Sequence, residues 1–238
     1  MTNFPGRIIH SCEYRSGKEF KGQKVLIVGF GNSACEIAID LYEQEAIPFM
    51  SVRSPVNIIP RDIAGIPILE LSLIMSQLPN RVADTITTLL TRLVFGDITK
   101  LGLTKKPYGP FEEIKKDHTI PLIDIGTIKH IRQGNIKVVG AVDHIEGSGV
   151  YFSDGKKEDF DAIVACIGFN SDNAGIIAVD KNRFEDLKVS LYQQKNFGKD
   201  GLYFCGFWIG PTGHIRQIAE YAQKIANKIE EKQSNINV

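Results

Sequence analysis

The stretch KVLIVGFGNSACEIAIDL, residues 24–41, decides the fold class of this chain. Its first part, KVLIVG (24–29), is a short apolar run rich in β-branched residues, typical of a strand buried on both faces of a parallel sheet. GNSACEIAIDLYEQEA (31–46) continues with helical spacing, and IPFMSVRS (47–54) is a second candidate strand. A strand, tight turn, helix and strand form a βαβ unit, so we predict an α/β fold with a Rossmann-like domain.

The turn between the first strand and the helix has the glycine pattern of a dinucleotide-binding domain. Residues 29–34, GFGNSA, match GxGxxG/A in the expected context, after a strand and at the start of an amphipathic helix. Gly29 allows a sharp turn, Gly31 lets the backbone approach a pyrophosphate, and Ala34 lets the helix pack closely on the sheet. The amino end of the helix then offers N–H groups to the phosphates. The alternative is a structural glycine-rich turn.

The end of the second strand indicates which dinucleotide binds. An NAD site usually has an acidic residue there, which accepts a hydrogen bond from the ribose 2′-hydroxyl. This chain instead has SVRS at 51–54, with no acid. A guanidinium flanked by hydroxyls, as at Arg53 and Ser54, suits a 2′-phosphate through charge-assisted hydrogen bonds. The pattern favours NADP(H) over NAD(H), the alternative being that Arg53 is a solvated charge at the strand end.

The rest of the chain predicts further helices and short strands. Residues 62–125 form an insertion with helical patterns at 68–78 and 81–94, and the Gly and Pro content of 101–121 is typical of a loop. Short strands are predicted at IKHI (128–131), IKVV (136–139), VDHIEG (142–147), VYFSDG (150–155, with a hairpin turn at SDG), FDAIVACIGF (160–169) and GLYFCGF (201–207), and a last helix at 214–231.

Composition excludes several classes of protein. Lys plus Arg and Asp plus Glu both total 28, so bulk charge does not favour a nucleic-acid partner. No apolar run reaches the length of a membrane span and the first residues lack a secretory signal, so we expect a cytoplasmic protein. The four cysteines contain no CxxC pair, which argues against a zinc site, a disulfide framework or a dithiol redox centre.

The segment FPGRIIHSCEY (4–14) resembles the identifying pattern FxGxxxHxxx(Y/F) of the flavin-containing monooxygenases. Phe4, Gly6, His10 and Tyr14 occupy its fixed positions, directly before the dinucleotide turn. Three further segments are similar in sequence to that family, in particular to its YUCCA-like and bacterial members: GNSACEIAIDL, VRSPVNIIPRD and IDIGTIKHIRQGNIKV.

The resemblance implies an NADPH- and FAD-dependent monooxygenase. In that family the reduced nicotinamide passes a hydride to the flavin, which forms a C4a-hydroperoxide and oxygenates a small organic substrate. The resemblance assigns the NADP pyrophosphate to Gly29, Gly31, Asn32, Ser33 and Ala34, and the 2′-phosphate to Arg53. It also places three residues near the cofactors: Gly168 in the turn at 166–169, and Gly213 and His214 beside the flavin. No catalytic side chain is identified, since the cofactor carries the chemistry.

The same resemblance divides the chain into three parts. Residues 1–20 are predicted to be an irregular inter-domain linker, 21–155 the NADP-binding domain with the insertion 62–125, and 156–238 the returning part of an incomplete FAD-type lobe. The family's first GxGxxG motif, which binds the FAD pyrophosphate, is not in this sequence. We therefore expect a truncated or split form that uses a separately encoded FAD-binding half or self-associates. The alternatives are a catalytically inactive NADP-binding module and another NADPH-dependent flavoprotein reductase.

Overall fold

The structure, a computed structural model, describes residues 4–169, 198–199, 202–206 and 210–236. The chain forms two compact units. The first contains Met1–Gly65, Asp84–Pro110 and Pro121–Phe169, and the second contains Ile66–Ala83, Phe111–Ile120 and Asn170–Val238.

The described strands are β1 Arg7–His10, β2 Lys24–Val28, β3 Ile47–Ser51, β4 Ile58–Pro60, β5 Asp62–Ile63, β6 Ile66–Pro67, β7 Leu122–Asp124, β8 Lys137–Val139, β9 Val142–Glu146, β10 Gly149–Phe152, β11 Lys157–Asp159, β12 Ala162–Ala165, β13 Gly198–Lys199 and β14 Leu202–Tyr203. The described α-helices are α1 Asn32–Glu43, α2 Ile68–Met75, α3 Asn80–Phe95, α4 Pro110–Asp117, α5 Thr127–Arg132 and α6 His214–Ile236, and Gly17–Phe20 and Ile98–Leu101 are 3-10 helices.

The first unit is built on a five-stranded sheet in the order β1-β12-β2-β3-β8. Its strand pairs are all parallel. The chain leaves β2 toward β3 and β8 and returns on the other side of β2 as β12. Such a reversal of strand order is where open α/β sheets bind ligands, beyond the carboxyl ends of the strands. The predicted α/β fold with a Rossmann-like sheet is confirmed.

Strand β2 is buried on both faces of this sheet, as its apolar run predicts. Val25 and Ile27 pack on one side with the apolar face of α1. Leu26 points to the other side, where it packs with Val150 of the β-meander β9–β10–β11. Alternating side chains of one strand thus enter two separate cores, and each removes apolar surface from water.

The prediction that the amino-terminal segment is irregular is wrong for residues 7–10, while its role as an inter-domain linker stays a prediction. Arg7–His10 forms the edge strand β1, parallel to β12. Gly6 brings this strand close to its neighbour, because a Cβ at Gly6 would lie 2.1 Å from the carbonyl oxygen of Asp161. A pairing with residues about 155 positions away carries no local signal, and four residues are too few for periodicity to identify a strand.

Tyr14 joins the same segment to helix α1. Its hydroxyl donates a hydrogen bond of 2.5 Å to Oδ2 of Asp40, which also accepts one of 2.7 Å from the N–H of Gly17. The ring stacks on Phe20 with the centroids 5.9 Å apart. Burial, and then the hydrogen bond to Asp40, raise the pKa of Tyr14 above its usual value.

Replacing Tyr14 by phenylalanine is expected to lower the free energy of unfolding by about 2 kcal/mol, because the part-buried carboxylate of Asp40 loses the hydroxyl donor and keeps the N–H of Gly17. Since the folded state raises the pKa of Tyr14, this contribution is present below pH about 10 and is lost as the pH rises above it. Tyr42→Phe is the control, since Tyr42 lies on the same helix and is 37% exposed. Urea unfolding at pH 7 measures both variants; equal effects would contradict the prediction.

Two other local predictions are wrong and several are confirmed. IKHI was predicted as a strand, but it lies in helix α5, where Ile128 and Ile131 are buried on one face at a spacing of three. The predicted loop 101–121 contains helix α4. Helices at 68–78 and 81–94 and the hairpin turn at SDG are confirmed by α2, α3 and the β10–β11 pair.

The predicted domain boundaries stay a prediction. The compact units divide the insertion 62–125, since Asp84–Pro110 belongs to the first unit and Ile66–Ala83 to the second. Of the predicted FAD-type lobe, residues 170–197 lie outside the described residues.

Among the helices within the described ranges, none has both the length and the apolar character needed to cross a membrane.

Candidate nucleotide-binding site

The site begins at Gly29, where the chain leaves β2. Gly29 has φ +127°, and a Cβ there would lie 2.3 Å from the carbonyl oxygen of Cys166 at the end of β12. Its N–H donates a hydrogen bond of 3.0 Å to the carbonyl oxygen of Ser51. The turn therefore passes between two neighbouring strand ends through a space that only glycine fits.

Helix α1 begins directly after this turn with an uncapped amino end. Gly31 is the N-cap residue with φ −103° and ψ −178°, no side chain caps the helix, and its first turn carries no acidic residue. A Cβ at Gly31 would meet nothing within 4 Å. Open space therefore faces the positive end of the helix dipole, which favours an anion.

Three other predicted residues follow in the first turn of α1. Ala34 is fully buried against the sheet, and Ser33 is exposed. The side chain of Asn32 is occupied, since its Oδ1 accepts a hydrogen bond of 3.0 Å from the N–H of Ile123 beside β7. The amide side chain therefore holds β7 beside the helix. A contact between the backbone N–H of Asn32 and a pyrophosphate stays a prediction.

A cavity of about 520 Å³ opens at the same edge of the sheet. It is lined by residues that follow β2, β3, β8 and β12, among them Gly29, Arg53, Ser54, Val142 and Ile167. Arg53 and Ser54 are both exposed. Within the described part of the chain the guanidinium of Arg53 makes no hydrogen bond or ion pair. Its charge is therefore available to a ligand in this cavity.

The turn after β12 is fastened to β1 by His10. Nε2 of His10 lies 3.1 Å from the carbonyl oxygen of Gly168, which has φ +83°. Nδ1 accepts a hydrogen bond of 3.3 Å from the N–H of Cys12, so the neutral ring carries its proton on Nε2 and donates it to Gly168. The ring also meets the edge of Phe169, with centroids 5.1 Å apart. His10 thus positions the turn after β12, a role that its isolated place in the sequence did not reveal.

Cys166, in the same turn, is a wall residue that sequence reasoning did not assign to the site. It lines the cavity, and burial raises the pKa of its thiol to about 11. It is therefore a neutral, apolar surface there rather than a thiolate. Asp124, the last residue of β7, caps the start of α5, since its Oδ1 accepts a hydrogen bond of 3.0 Å from the N–H of Ile128.

Gly213 and His214 belong to the second unit. Gly213 has φ +99° and precedes α6, and the exposed His214 is the first residue of that helix. Gln217 stabilises this helix start, since its N–H donates to the carbonyl oxygen of Gly213 at 3.2 Å and its Nε2 donates to Oγ1 of Thr212 at 3.2 Å. The first turn of α6 carries no acidic residue.

The comparison with protein families decides the relationship. Residues 1–234 match the family described as flavin-binding monooxygenase-like. The chain belongs to this family.

Curated members of the family from plants are similar over most of the chain. Indole-3-pyruvate monooxygenase YUCCA8 of Oryza sativa subsp. indica is 38% identical over 210 residues, covering 86% of this chain and 50% of the relative. Probable indole-3-pyruvate monooxygenase YUCCA9 of Arabidopsis thaliana is 36% identical over 233 residues, covering 95% of this chain and 55% of the relative. The chain thus spans about half the length of these flavin-binding monooxygenase-like relatives.

Solved structures show the same fold. A flavin-containing monooxygenase from Stenotrophomonas maltophilia is 15% identical with a TM-score of 0.52, covering 95% of this chain and 56% of that one. A cyclohexanone monooxygenase mutant from Rhodococcus sp. Phi1 bound to NADP+ is 14% identical with a TM-score of 0.58, covering 94% and 57%. At these identities the similarity concerns the fold alone.

Proposed function

We propose that the first unit binds NADP(H) and acts as the nicotinamide-nucleotide domain of an NADPH- and FAD-dependent monooxygenase. The observation that carries this proposal is a cavity lined by Arg53 and by Gly29 and Phe30, the two residues directly before the N-cap Gly31 of the uncapped helix α1. Within the described residues the guanidinium of Arg53 has no hydrogen-bond or ion-pair partner. The pyrophosphate would lie against the N–H groups that open α1, and the 2′-phosphate against Arg53 and Ser54. Family membership and the lack of an acidic residue at the end of β3 both support this assignment.

The second unit is proposed to meet the flavin at the start of α6. Its turn Thr212–Gly213 leads into a helix whose first turn carries no acidic residue, and such an end stabilises negative charge on a neighbouring ring. A bound flavin would supply the redox and oxygen chemistry of an NADPH-dependent oxygenation of a small organic substrate. The protein contributes binding and orientation: His10 and Gly168 shape one turn, and Gly213 and His214 the other.

Arg53→Gln tests the nucleotide assignment. Losing a charge-assisted hydrogen bond to the 2′-phosphate is expected to weaken NADPH binding by about 10- to 100-fold. NADH lacks that phosphate, so its affinity is expected to stay within about twofold. Isothermal titration calorimetry of both nucleotides against wild type and variant gives the comparison.

The matched control for this substitution is Arg61→Gln. Arg61 is an exposed arginine of the same unit that does not line the cavity. It is expected to leave both affinities unchanged. A wild-type protein that ignores NADPH, or an Arg53→Gln variant that binds it as tightly as Arg61→Gln does, would overturn the proposal.

The flavin assignment has its own readout. Purified protein mixed with FAD is expected to show the visible absorption of a bound flavin and to oxidise NADPH, if the chain holds both cofactors. NADPH binding without flavin under any reconstitution would favour the NADP-binding module instead. Peroxide formation without oxygenated product would favour an oxidase or reductase.

A further inference from the structure

The first unit has another cavity, apart from the one that we propose for NADP(H). Its volume is about 320 Å³, within the lower range of ligand sites in proteins. It shares only Val56 with the lining of the nucleotide cavity. The two cavities are therefore separate sites on the same unit.

One wall of this cavity is a polar face of α3. Thr88, Thr91 and Arg92 all line it, at the spacing i, i+3 and i+4 that places residues on one side of a helix. A second wall contains Lys105, whose backbone is bridged to Val56 in the parallel sense. Two cationic groups and two hydroxyls thus surround the same space.

The cavity lining has a net positive charge, although the carboxylate of Asp97, which interacts electrostatically with Arg92, offsets part of it. Within the described ranges, neither the guanidinium of Arg92 nor the ammonium of Lys105 makes a hydrogen bond or an ion pair. The only carboxylate in the lining is Asp97. Its Oδ1 is already engaged, because it accepts hydrogen bonds from the N–H and the hydroxyl of Thr99 at 3.0 and 2.7 Å.

Helix α3 presents polar side chains to the cavity, while two of its leucines are exposed. Leu89 and Leu93 on this helix are 60% and 75% exposed. Thr88 and Thr91 are half-buried and face the cavity.

Of the remaining lining, the amide of Asn57 is engaged, since its Nδ2 donates a hydrogen bond of 2.9 Å to the carbonyl oxygen of Tyr108, and the other residues are apolar. Ile58 and Ile98 are 3% and 9% exposed, and Pro110 lies beside them. We propose that this cavity binds a small organic carboxylate. The carboxylate lies between Arg92 and Lys105 within reach of the threonine hydroxyls, and the apolar body packs on the two isoleucines. This inference does not rest on the proposed nucleotide function.

The test uses calorimetry with three carboxylates: cyclohexanecarboxylate, benzoate and hexanoate. Cyclohexanecarboxamide tests the need for charge, and inorganic phosphate tests the need for an apolar body. We expect at least one carboxylate to bind and to exceed the carboxamide and phosphate by about tenfold or more. Arg92→Gln and Lys105→Gln are each expected to weaken that binding by about tenfold, since each removes a charged hydrogen-bond donor.

Control variants distinguish specific binding in this cavity from general attraction of a carboxylate to positive charge. Lys129→Gln removes an exposed cation of the same unit outside this lining and is expected to change nothing. Thr88→Val keeps the side-chain shape and is expected to weaken binding less than either charge removal. NADPH affinity of the Arg92→Gln variant is expected to equal that of wild type, so a failure of the nucleotide proposal is seen independently.

Three results would overturn the inference. They are the absence of binding by all three carboxylates at millimolar concentration, equal binding of carboxamide or phosphate, and an unchanged affinity when Arg92 and Lys105 are both replaced by glutamine.

Discussion

Replacing Gly29 by alanine is expected to lower the free energy of unfolding by about 3–5 kcal/mol, which is a large part of the stability of an ordinary domain. Two costs add at this position. The residue has φ +127°, and the new Cβ would lie 2.3 Å from the carbonyl oxygen of Cys166. That oxygen belongs to the backbone beside β12, so it cannot move aside as the end of a flexible side chain would.

Gly22→Ala is the matched control that separates these two costs. Gly22 also has a positive φ, +76°, but a Cβ there meets nothing within 4 Å. It is expected to lose only the conformational part, about 1–2 kcal/mol. Urea or thermal unfolding of both variants measures the difference. If Gly29→Ala is no less stable than Gly22→Ala, then β2 and β12 do not approach as closely as the structure shows.

Replacing Gly31 by valine, two residues later, is expected to weaken NADPH binding and to leave the stability of the fold almost unchanged. Its extended backbone, with φ −103° and ψ −178°, suits any residue, and its Cβ would project into open space. The free energy of unfolding should therefore change by less than about 1 kcal/mol. A branched side chain would occupy the place of the pyrophosphate, so we expect NADPH affinity to fall by at least about 100-fold, which equals about 2.7 kcal/mol.

Calorimetry with NADPH and thermal unfolding of the same Gly31→Val sample check this prediction together. Gly31→Ala is expected to have a smaller effect on affinity in the same direction. A Gly31→Val variant that is folded and binds NADPH as wild type does would remove the start of α1 from the site. The Gly29 prediction would survive that result, because it concerns the strand ends alone.

The sequence predicted the elements whose signal is local. Strand β2 and helix α1 were identified because Val25, Ile27 and the apolar positions of the helix repeat at intervals that a short window contains. The glycine pattern predicted the position of the turn for the same reason. The helix α5 was mistaken for a strand, because Ile128 and Ile131 are three apart in a stretch too short to distinguish the two periods.

The candidate site was only partly predictable in this way. Arg53 was found because it follows a strand whose end has a known place in such domains. The wall formed by Cys166 and Ile167 follows β12, and it meets Arg53 only in the folded sheet. Asn32 lies at a variable position of the motif, and its side chain accepts a hydrogen bond from the N–H of Ile123, 91 positions later.

The sequence by itself determined the α/β class and the βαβ unit, because periodicity and backbone freedom are properties of neighbouring residues. It also predicted a dinucleotide-binding turn and a preference for a 2′-phosphate, which stay predictions. Only the tertiary structure decided that residues 7–10 form an edge strand, that His10 holds the turn at Gly168, and that Arg92 and Lys105 share a cavity. These pairings join residues 13 to 158 positions apart, and which distant groups meet is set by the packing of the whole sheet rather than by any local pattern.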